Sequence, residues 1–522
     1  MAFFHGITVT EVNTNGVSIQ VVNSAVIGLI GSAPQWSASS GAGPGINVPT
    51  LIQSAAQGSN FGKQIAGYTI PEALADIQLQ GAGAVIVIDV FNPLLHQSTF
   101  AANPLTGPAS NSVPVTLGHM GLIGPGLPNT PLSTVVVKNQ AGSTTYVEGT
   151  DYTIDYVNGL LYTKSGGAIT SAQALEVSGA YCDPSKVDYT DIIGTVTGST
   201  YTGIQALQTT FQTMGLFAKL LITPTFHDAS TSANLLAMAT KLRAISFTDA
   251  PPNTTVATAI ANRGAAGNAF NQASDRLALT FPWQLKTPTS ISPTGVVVSA
   301  QGTIGYTTLT GTVDTPYSTW VAGATAASDI SNGFWFSPSN TIINGILGPD
   351  VSLYMSAYDP TSDTNALNAA GIMTVFNGFG TGYRTWGNRA SSFPSSGAVT
   401  TFIAVRRTLD VVEQSIQYSS LPFADKPITN GLINSILQSV NAFLNSLIQQ
   451  GALIAGSTVT YNPVDNPPAS LANGQLTFEV SVMPPPPAEQ IIYNFSINTS
   501  LLANLGASIT STSTTNNVNV TA

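Results

Sequence analysis

Four consecutive prolines at 484–487 set the strongest local constraint on this chain. Each lacks an amide proton and holds φ near −65°, so neither a helix nor a sheet interior can run through them. Such a run favours a stiff polyproline II spacer. The segment behind it, EQIIYNFSIN at 489–498, has the alternation of a strand. A strand held off its own body by a rigid spacer is well built to pair with a different chain, here through Ile491, Ile492 and Phe495. The other end offers a counterpart: Ile7, Val9 and Val12 alternate with polar residues ahead of an Asn15-Gly16 turn signal. These six side chains are the candidate contacts between subunits, and the partner they imply is a second copy of the chain.

Composition narrows the partners further. Charged residues are only 8% of 522, against a usual value of about 25%, while hydrophobic residues remain at 43%. That is not a disordered composition. It suits a β-rich protein with a hydroxyl- and amide-covered surface, and weak self-repulsion permits dense packing against copies of itself. The net charge of −10 and the absence of any basic run argue against direct contact with nucleic acid or with an anionic membrane. No apolar run approaches the roughly 20 residues of a spanning helix. The N-terminus has no basic, then apolar, signal-peptide pattern. The single cysteine, Cys182, is expected to be a small buried hydrophobe.

Along the chain, the apolar run AVIGLIGSAP, a helix over 70–80 and the strand AVIVIDVF at 84–91 give an α/β layer. From 93 to 183 short alternating runs separated by Gly-containing turns read as an inserted β-sandwich-like module. Helical patterns return over 202–217 and 231–245 with a strand between them, and a hairpin excursion is expected at 286–314. The remainder of 250–330 has no clear pattern. The clearest helix is 429–450, where Leu432, Ile436, Val440, Phe443, Leu444 and Leu447 fall on one stripe and Asn434, Gln438, Asn441 and Asn445 on the other. The expected fold is therefore a multi-domain α/β (α+β) chain. It comprises an N-terminal arm (1–22), a discontinuous α/β core (23–92 and 184–375), the inserted all-β module (93–183), a C-terminal domain (376–484), and a C-terminal arm and tail (485–522).

Chemistry is sparse. His5, His96, His119 and His227 lie in different segments without metal-ligand spacing, so no metal or cofactor is expected. GFGTGYRTWG at 378–387 is glycine-rich but does not fit a dinucleotide fingerprint. Nothing marks a nucleophile or a carboxylate pair, so an enzyme is not expected. Arg406, Arg407, Asp410 and Glu413 are the densest charges in the chain. Asp410 shares a helix face with the arginines, which allows either an ion pair along the helix or contact with a partner surface.

At these residues the chain resembles the tail sheath proteins of contractile-tailed bacteriophages. The resemblance lies in Pro338 and Asn340 of GFWFSPSN and in Leu367, Asn368, Gly371, Ile372, Trp386, Gly387 and Arg389. It continues in the helix carrying Val405, Arg406, Arg407 and Glu413, in Gly451 to Leu453, and in Pro487, Ala488 and Glu489. GITVTEVN with AVIGLIGSAP is similar to the family's opening, and TTYVEGTDYTIDYVNGLLY to the inserted module of its longer members.

The resemblance implies a structural subunit that polymerises as stacked hexameric rings around an inner tail tube. Arms at 1–20 and 485–498 add strands to a neighbour's C-terminal domain. It implies contraction by rigid-body rearrangement, driving the tube through the host envelope for genome delivery without a nucleotide at that step. The further implied partners are the tail tube, baseplate and tail terminator proteins, and the implied location is the virion, after assembly in the bacterial cytoplasm. By the same analogy Arg406, Arg407 and Glu413 are candidates to face the tube. A β-rich adhesin, or less plausibly a glycan hydrolase, is the alternative; an adhesin would not need the proline-spaced terminal strand.

Overall fold

In the computed structural model the described residues are 18–38, 43–123, 131–378 and 380–504. The chain divides into two compact units, Met1–Pro487 and Ala488–Ala522. The expectations for Ile7, Val9 and Val12 lie outside the described residues.

The first strand shows why the sequence folds as it does. β1 (Val26–Gly31, VIGLIG) is buried at all six positions. Ile27 and Leu29 enter one hydrophobic cluster and Val26 and Ile30 another, so both faces of the strand are covered. A near-continuous apolar run is what such a strand requires. β2 (Thr50–Ile52) follows, then the single turn α1 (Ala55–Gly58), α2 (Ile70–Leu79), which carries Pro71 in its first turn, and β3 (Ala84–Asp89).

Among the described residues, the chain between β3 and residue 183 contains strands and no helix. β4 (Gln97–Thr106), β9 (Ala174–Cys182) and, between them in sequence, β6 (Val136–Asn139) form one antiparallel sheet in the order β4-β9-β6. β5 (Val115–Thr116), β7 (Tyr152–Asp155) and β8 (Leu160–Thr163) form a second, in the order β5-β8-β7. Phe100, Val137, Tyr152, Leu161, Leu175 and Val177 share a cluster of their own. Cys182 is buried, and burial pushes its thiol pKa up.

After this excursion come α3 (Tyr189–Ile193), the tight pair β10 (Val196–Thr197) and β11 (Thr200–Tyr201), and a 3-10 stretch at Gly203–Thr209. The helix expected over 202–217 is thus mostly 3-10. It becomes α only in α4 (Thr210–Met214), which Gly215 ends in the left-handed conformation. The main sheet resumes with β12 (Leu220–Ile222), α5 (Ala229–Leu242), β13 (Ile245–Asp249), α6 (Val256–Ala261) and β14 (Leu277–Thr280). The excursion expected at 286–314 is present. β15 (Gln284–Lys286) and β18 (Val313–Thr315) pair around the hairpin β16 (Ile291–Val298) and β17 (Ile304–Thr308). β19 (Gly348–Pro349) pairs with the other side of β15.

α7 (Tyr317–Asn332) fills the stretch that had no readable pattern. Eleven of its sixteen residues are buried, Ser318, Thr319 and Thr325 among them. A helix enclosed on nearly every side has no polar face, so it leaves no amphipathic stripe to read. α8 (Asp363–Ala369), β20 (Ile372–Phe376) and β21 (Arg384–Trp386) complete the sheet. Its order is β2-β3-β1-β12-β13-β14-β20-β21, with the six central strands parallel and the two edge strands antiparallel. α2 and α7 cover one face and α5 the other, which makes a doubly wound α/β layer. The sheet runs past residue 376, so the expected start of the C-terminal domain falls too early.

That C-terminal part consists of α9 (Ile403–Ser419), α10 (Asn430–Gln449), β22 (Thr458–Thr460), α11 (Pro468–Ala472) and β23 (Glu479–Ser481). β22 and β23 pair antiparallel. The alternating run at 476–483 pairs over only three residues. Ahead of it the Asn466 side chain takes both backbone groups of Thr477, at 2.7 and 2.9 Å.

Candidate functional site

The C-terminal body is assembled around one apolar cluster. Val440, Phe443, Leu444 and Leu447 of α10 meet Val411 and Val412 of α9, Phe334 and Val459. Ile19, Phe478 and Val482 pack against the same cluster, partly buried. The chain entering from the N-terminal side and the strand leading to the proline spacer are therefore rooted in one place.

Residues 20–24 run along α9, antiparallel to it. Gln20 N donates to Ser419 Oγ at 3.0 Å, Val22 N donates to Ser415 Oγ at 3.0 Å, and Arg407 Nη2 donates to Ser24 O at 3.3 Å. The two serines are one helical turn apart and present their hydroxyls on one face. Neither was singled out in the sequence, where Ser415 and Ser419 look like ordinary polar positions.

Arg407 corrects the sequence-level reading. Its side chain is 4% exposed and makes a two-pronged ion pair with Asp329 of α7, itself 2% exposed. Ser24 Oγ donates to the same carboxylate at 2.7 Å. A guanidinium enclosed in this way has no surface to offer a tube. Arg406 is also enclosed, at 11%; it reaches Asp410 at 2.8 Å and Glu413 at 3.1 Å. Asp410 in turn takes Arg276, and Glu413 takes Arg243. Glu413 alone of the three expected tube-facing residues has substantial exposure, 43%.

Lys219 lies beside this network and donates to the carbonyls of Leu242 and Arg243 at 2.9 and 3.0 Å and to Gln414 Oε1. Burial lowers its pKa to about 7. Lys219, Arg243, Arg276, Arg406 and Arg407 are five of the chain's 15 Lys and Arg residues, gathered where α9 meets the α/β layer. Their acidic partner Asp329 and the cations on other elements were not identifiable in the sequence, because each lies in a segment remote from α9.

The family-like signature of the sequence forms a second compact feature. The Asn368 amide, oriented to donate to Ile372 O and Trp386 O at 2.9 and 3.2 Å, accepts from Trp386 Nε1 at 3.2 Å. The Trp386 ring stacks on Phe376 with centroids 4.5 Å apart. Gly387 has φ 123°, and a Cβ there would lie 2.6 Å from the Asn368 amide and 3.0 Å from Met373 Cα, so only glycine fits. Arg389 sits 3.5 Å over the Phe402 ring. These residues lock β20, β21 and the entry to α9 together; they form no cleft.

His96 and His119 are bound up in local structure. His96 accepts from Asn92 N at 2.9 Å and meets Asp191 at 3.2 Å, and His119 stacks on Tyr181 at 4.0 Å. Among the described residues no group of three or more His, Cys, Asp or Glu is placed to hold a metal. No described helix is long and apolar enough to cross a membrane.

The unit beyond Pro487 has a different character. Ile491, Tyr493, Phe495 and Ile497 are 66%, 76%, 95% and 94% exposed, and residues 488–498 pair with no strand among the described residues. A body followed by an exposed apolar segment that pairs with no strand among the described residues has the construction of an assembly subunit.

Comparison with known proteins agrees. The family model described as phage tail sheath protein central domain matches residues 194–391, and that of the phage tail sheath C-terminal domain matches 395–498. A third model, of a protein of unknown function, matches 120–197. The tail sheath protein of Burkholderia phage BcepMu is 39% identical over 507 residues, covering 96% of this chain and 98% of that one. The tail sheath protein of Escherichia phage P2 is 26% identical over 323 residues, covering 62% and 74%. In fold the chain is similar to the sheath of an extracellular contractile injection system, PVC, in the contracted state. There the TM-score is 0.53 at 15% identity, covering 96% and 99%. The helical sheath of the anti-feeding prophage, also contracted, gives 0.53 at 15%, covering 95% and 100%. The chain belongs to the phage tail sheath protein family.

Proposed function

We propose that the protein is the structural subunit of a contractile phage tail sheath. It polymerises as stacked hexameric rings around an inner tail tube and contracts by rigid-body rearrangement, which drives the tube through the host envelope. The observation that carries this reading is the exposed apolar segment at 491–497, which pairs with no strand among the described residues and fits strand donation to a neighbour. Contacts of this kind are heterologous and propagate a helix instead of closing a ring pair. Membership of the tail sheath family supports the same role and a place in the virion.

Within that reading residues 1–22 and those from 485 onward are the arms, and the strands between 93 and 183 are an inserted module facing outward. The C-terminal body begins after β21 and faces the tube. Glu413 is the charge left to meet tube or neighbour. Baseplate and terminator proteins cap the polymer. The subunit performs no chemistry; the energy of contraction is stored in the assembled, extended state.

Electron microscopy of the purified protein tests this directly. Tubes or stacked rings are expected, and removing residues 1–20, or everything from Pro485, should abolish them while leaving the body folded. Normal polymers from either truncation would sink the arm assignment.

A further inference from the structure

Two exposed apolar features stand on the body itself, at opposite ends of β3. The first is a surface gathered around Gln80. Its side-chain amide exchanges hydrogen bonds with the backbone of Asn344, at 2.9 Å in each direction, and so pins the loop 341–347 to the end of α2. Leu79 lies over Gly345, where an added Cβ would collide with it, and Ile330 of α7 reaches to 3.3 Å from the Cβ position of Gly83. At least half of each of Leu79, Ile330, Ile342 and Leu347 is exposed. Residues 77–88 and 330–349 contain no Asp, Glu, Lys or Arg. An uncharged apolar surface of this kind marks an interaction site.

The second feature is a turn. β3 leaves the first surface at Ala84 and runs six residues to Asp89, about 20 Å along the sheet. Beyond it NPLL at 92–95 folds back on itself. Leu94 N donates to Asn92 Oδ1 at 3.0 Å, and Leu95 N and His96 N donate to Asn92 O at 3.0 and 2.8 Å. Asn92 N in turn donates to His96 Nδ1 at 2.9 Å, and Pro93 has no amide proton. Every backbone donor from 92 to 96 is thus used inside the turn. Pro93 and His96 are buried, while Leu94 and Leu95 stand 56% and 70% exposed. Residues 90–100 also lack Asp, Glu, Lys and Arg.

Resting on the sheath reading, we infer that the Leu94–Leu95 turn of one copy seats on the surface around Leu79, Ile330 and Leu347 of the next. Copies with a net charge of −10 repel one another overall, and they approach most readily where neither carries charge. Burying the leucines there removes apolar area from water with no ion to desolvate. The turn is already locked and the loop it meets is already pinned, so little order has to be imposed on binding. Gly81, Gly83 and Gly345 raise no side chain between the apolar groups, which leaves room for two leucines. The geometry also suits a polymer. A surface that paired with itself would close a dimer and stop. A turn at one end of the sheet and its seat at the other make a heterologous contact, which each copy repeats with a fresh neighbour. Two leucines form an anchor and not a whole interface, so this contact between bodies adds to the links made by the arms.

Cross-linking tests this, because Cys182 is buried and thiols introduced at the surface are the ones that react. The double variant Leu95→Cys, Leu347→Cys, assembled and treated with a short bismaleimide, should run as a ladder of covalent oligomers on a denaturing gel. Neither single variant should give dimer. Polymer without a ladder overturns the contact, as does dimer from a single variant, which would show a surface pairing with itself. Leu95→Asp should melt within a few degrees of wild type, since the side chain is exposed, and should raise the concentration needed for polymer about tenfold. Polymer at the wild-type concentration overturns the contact, and where the cysteine variants do not assemble this result decides. Wild-type protein that never polymerises overturns the sheath reading and this inference with it, whereas a missing ladder in formed polymer overturns the contact alone.

Discussion

Arg407 lies against Asp329 in a two-pronged ion pair, with Nη1 to Oδ1 at 2.9 Å, and both side chains are almost fully enclosed. The pair joins α9 to α7 and, through Ser24, to the root of the N-terminal segment. Removing one partner leaves the other charged and buried, which typically costs 3–5 kcal/mol. Arg407→Ala should lower the unfolding free energy of the subunit, read from urea denaturation, by an amount of that order. Arg407→Lys should not restore it, since an ammonium cannot reproduce the fork. A loss below about 1 kcal/mol, typical of exposed pairs, would contradict the buried assignment.

The Asn441 amide caps the Val459 backbone, accepting from its N–H at 3.0 Å and donating to its carbonyl at 3.2 Å, and Asn441→Ala withdraws both partners. Leaving a buried donor and acceptor unmade should destabilise the subunit by about 1–3 kcal/mol in chemical denaturation. It also opens the β22 edge to indiscriminate pairing, so micrographs should show irregular aggregates beside ordered tubes. Unchanged stability would mean that the amide is not the cap described.

Leu444 and Phe495 should separate folding from assembly. Leu444 is 0% exposed at the centre of the C-terminal cluster, and Leu444→Ala should cost about 2–5 kcal/mol. Phe495 is 95% exposed, so Phe495→Ala should leave the melting temperature of the monomer unchanged while raising the concentration needed for polymer, measured by sedimentation. A large stability loss in Phe495→Ala would place that ring inside the fold.

Asp89 gives the fold a pH dependence. It is fully buried, and burial pushes its pKa up to about 7, although Phe91 N, Gln35 Nε2 and Ala33 N all donate to it. A folded-state pKa above the unfolded one near 3.8 means that the folded chain holds the proton more tightly. Its stabilising contribution is full below pH 3.8 and is lost as pH rises through about 7. At about 1.4 kcal/mol per unit this amounts to roughly 4 kcal/mol at most. Denaturation between pH 4.5 and 8 should show stability falling with pH, and Asp89→Asn should flatten the slope.

Much of this was legible locally. VIGLIG is an uninterrupted apolar run because β1 is covered on both faces, and AVIVID reads the same way in β3. The apolar stripe of α10 also means in the structure what it means in sequence. α7 was not legible, because periodicity records which face meets water and almost none of α7 does. The charges of α9 were visible as a group and misassigned in direction. Arg407 looked available until Asp329, 78 residues away, was seen to fill it.

By itself, then, the sequence determined the α/β layer, the alternating runs of the stretch after it and the long helix, because each is encoded in the spacing of a few neighbouring residues. Only the tertiary structure decided that Arg407 is internal, that five cations converge on α9, and that the Asn441 amide caps the Val459 backbone. Each depends on which distant segment occupies the space opposite a given residue, and short-range periodicity carries no record of that.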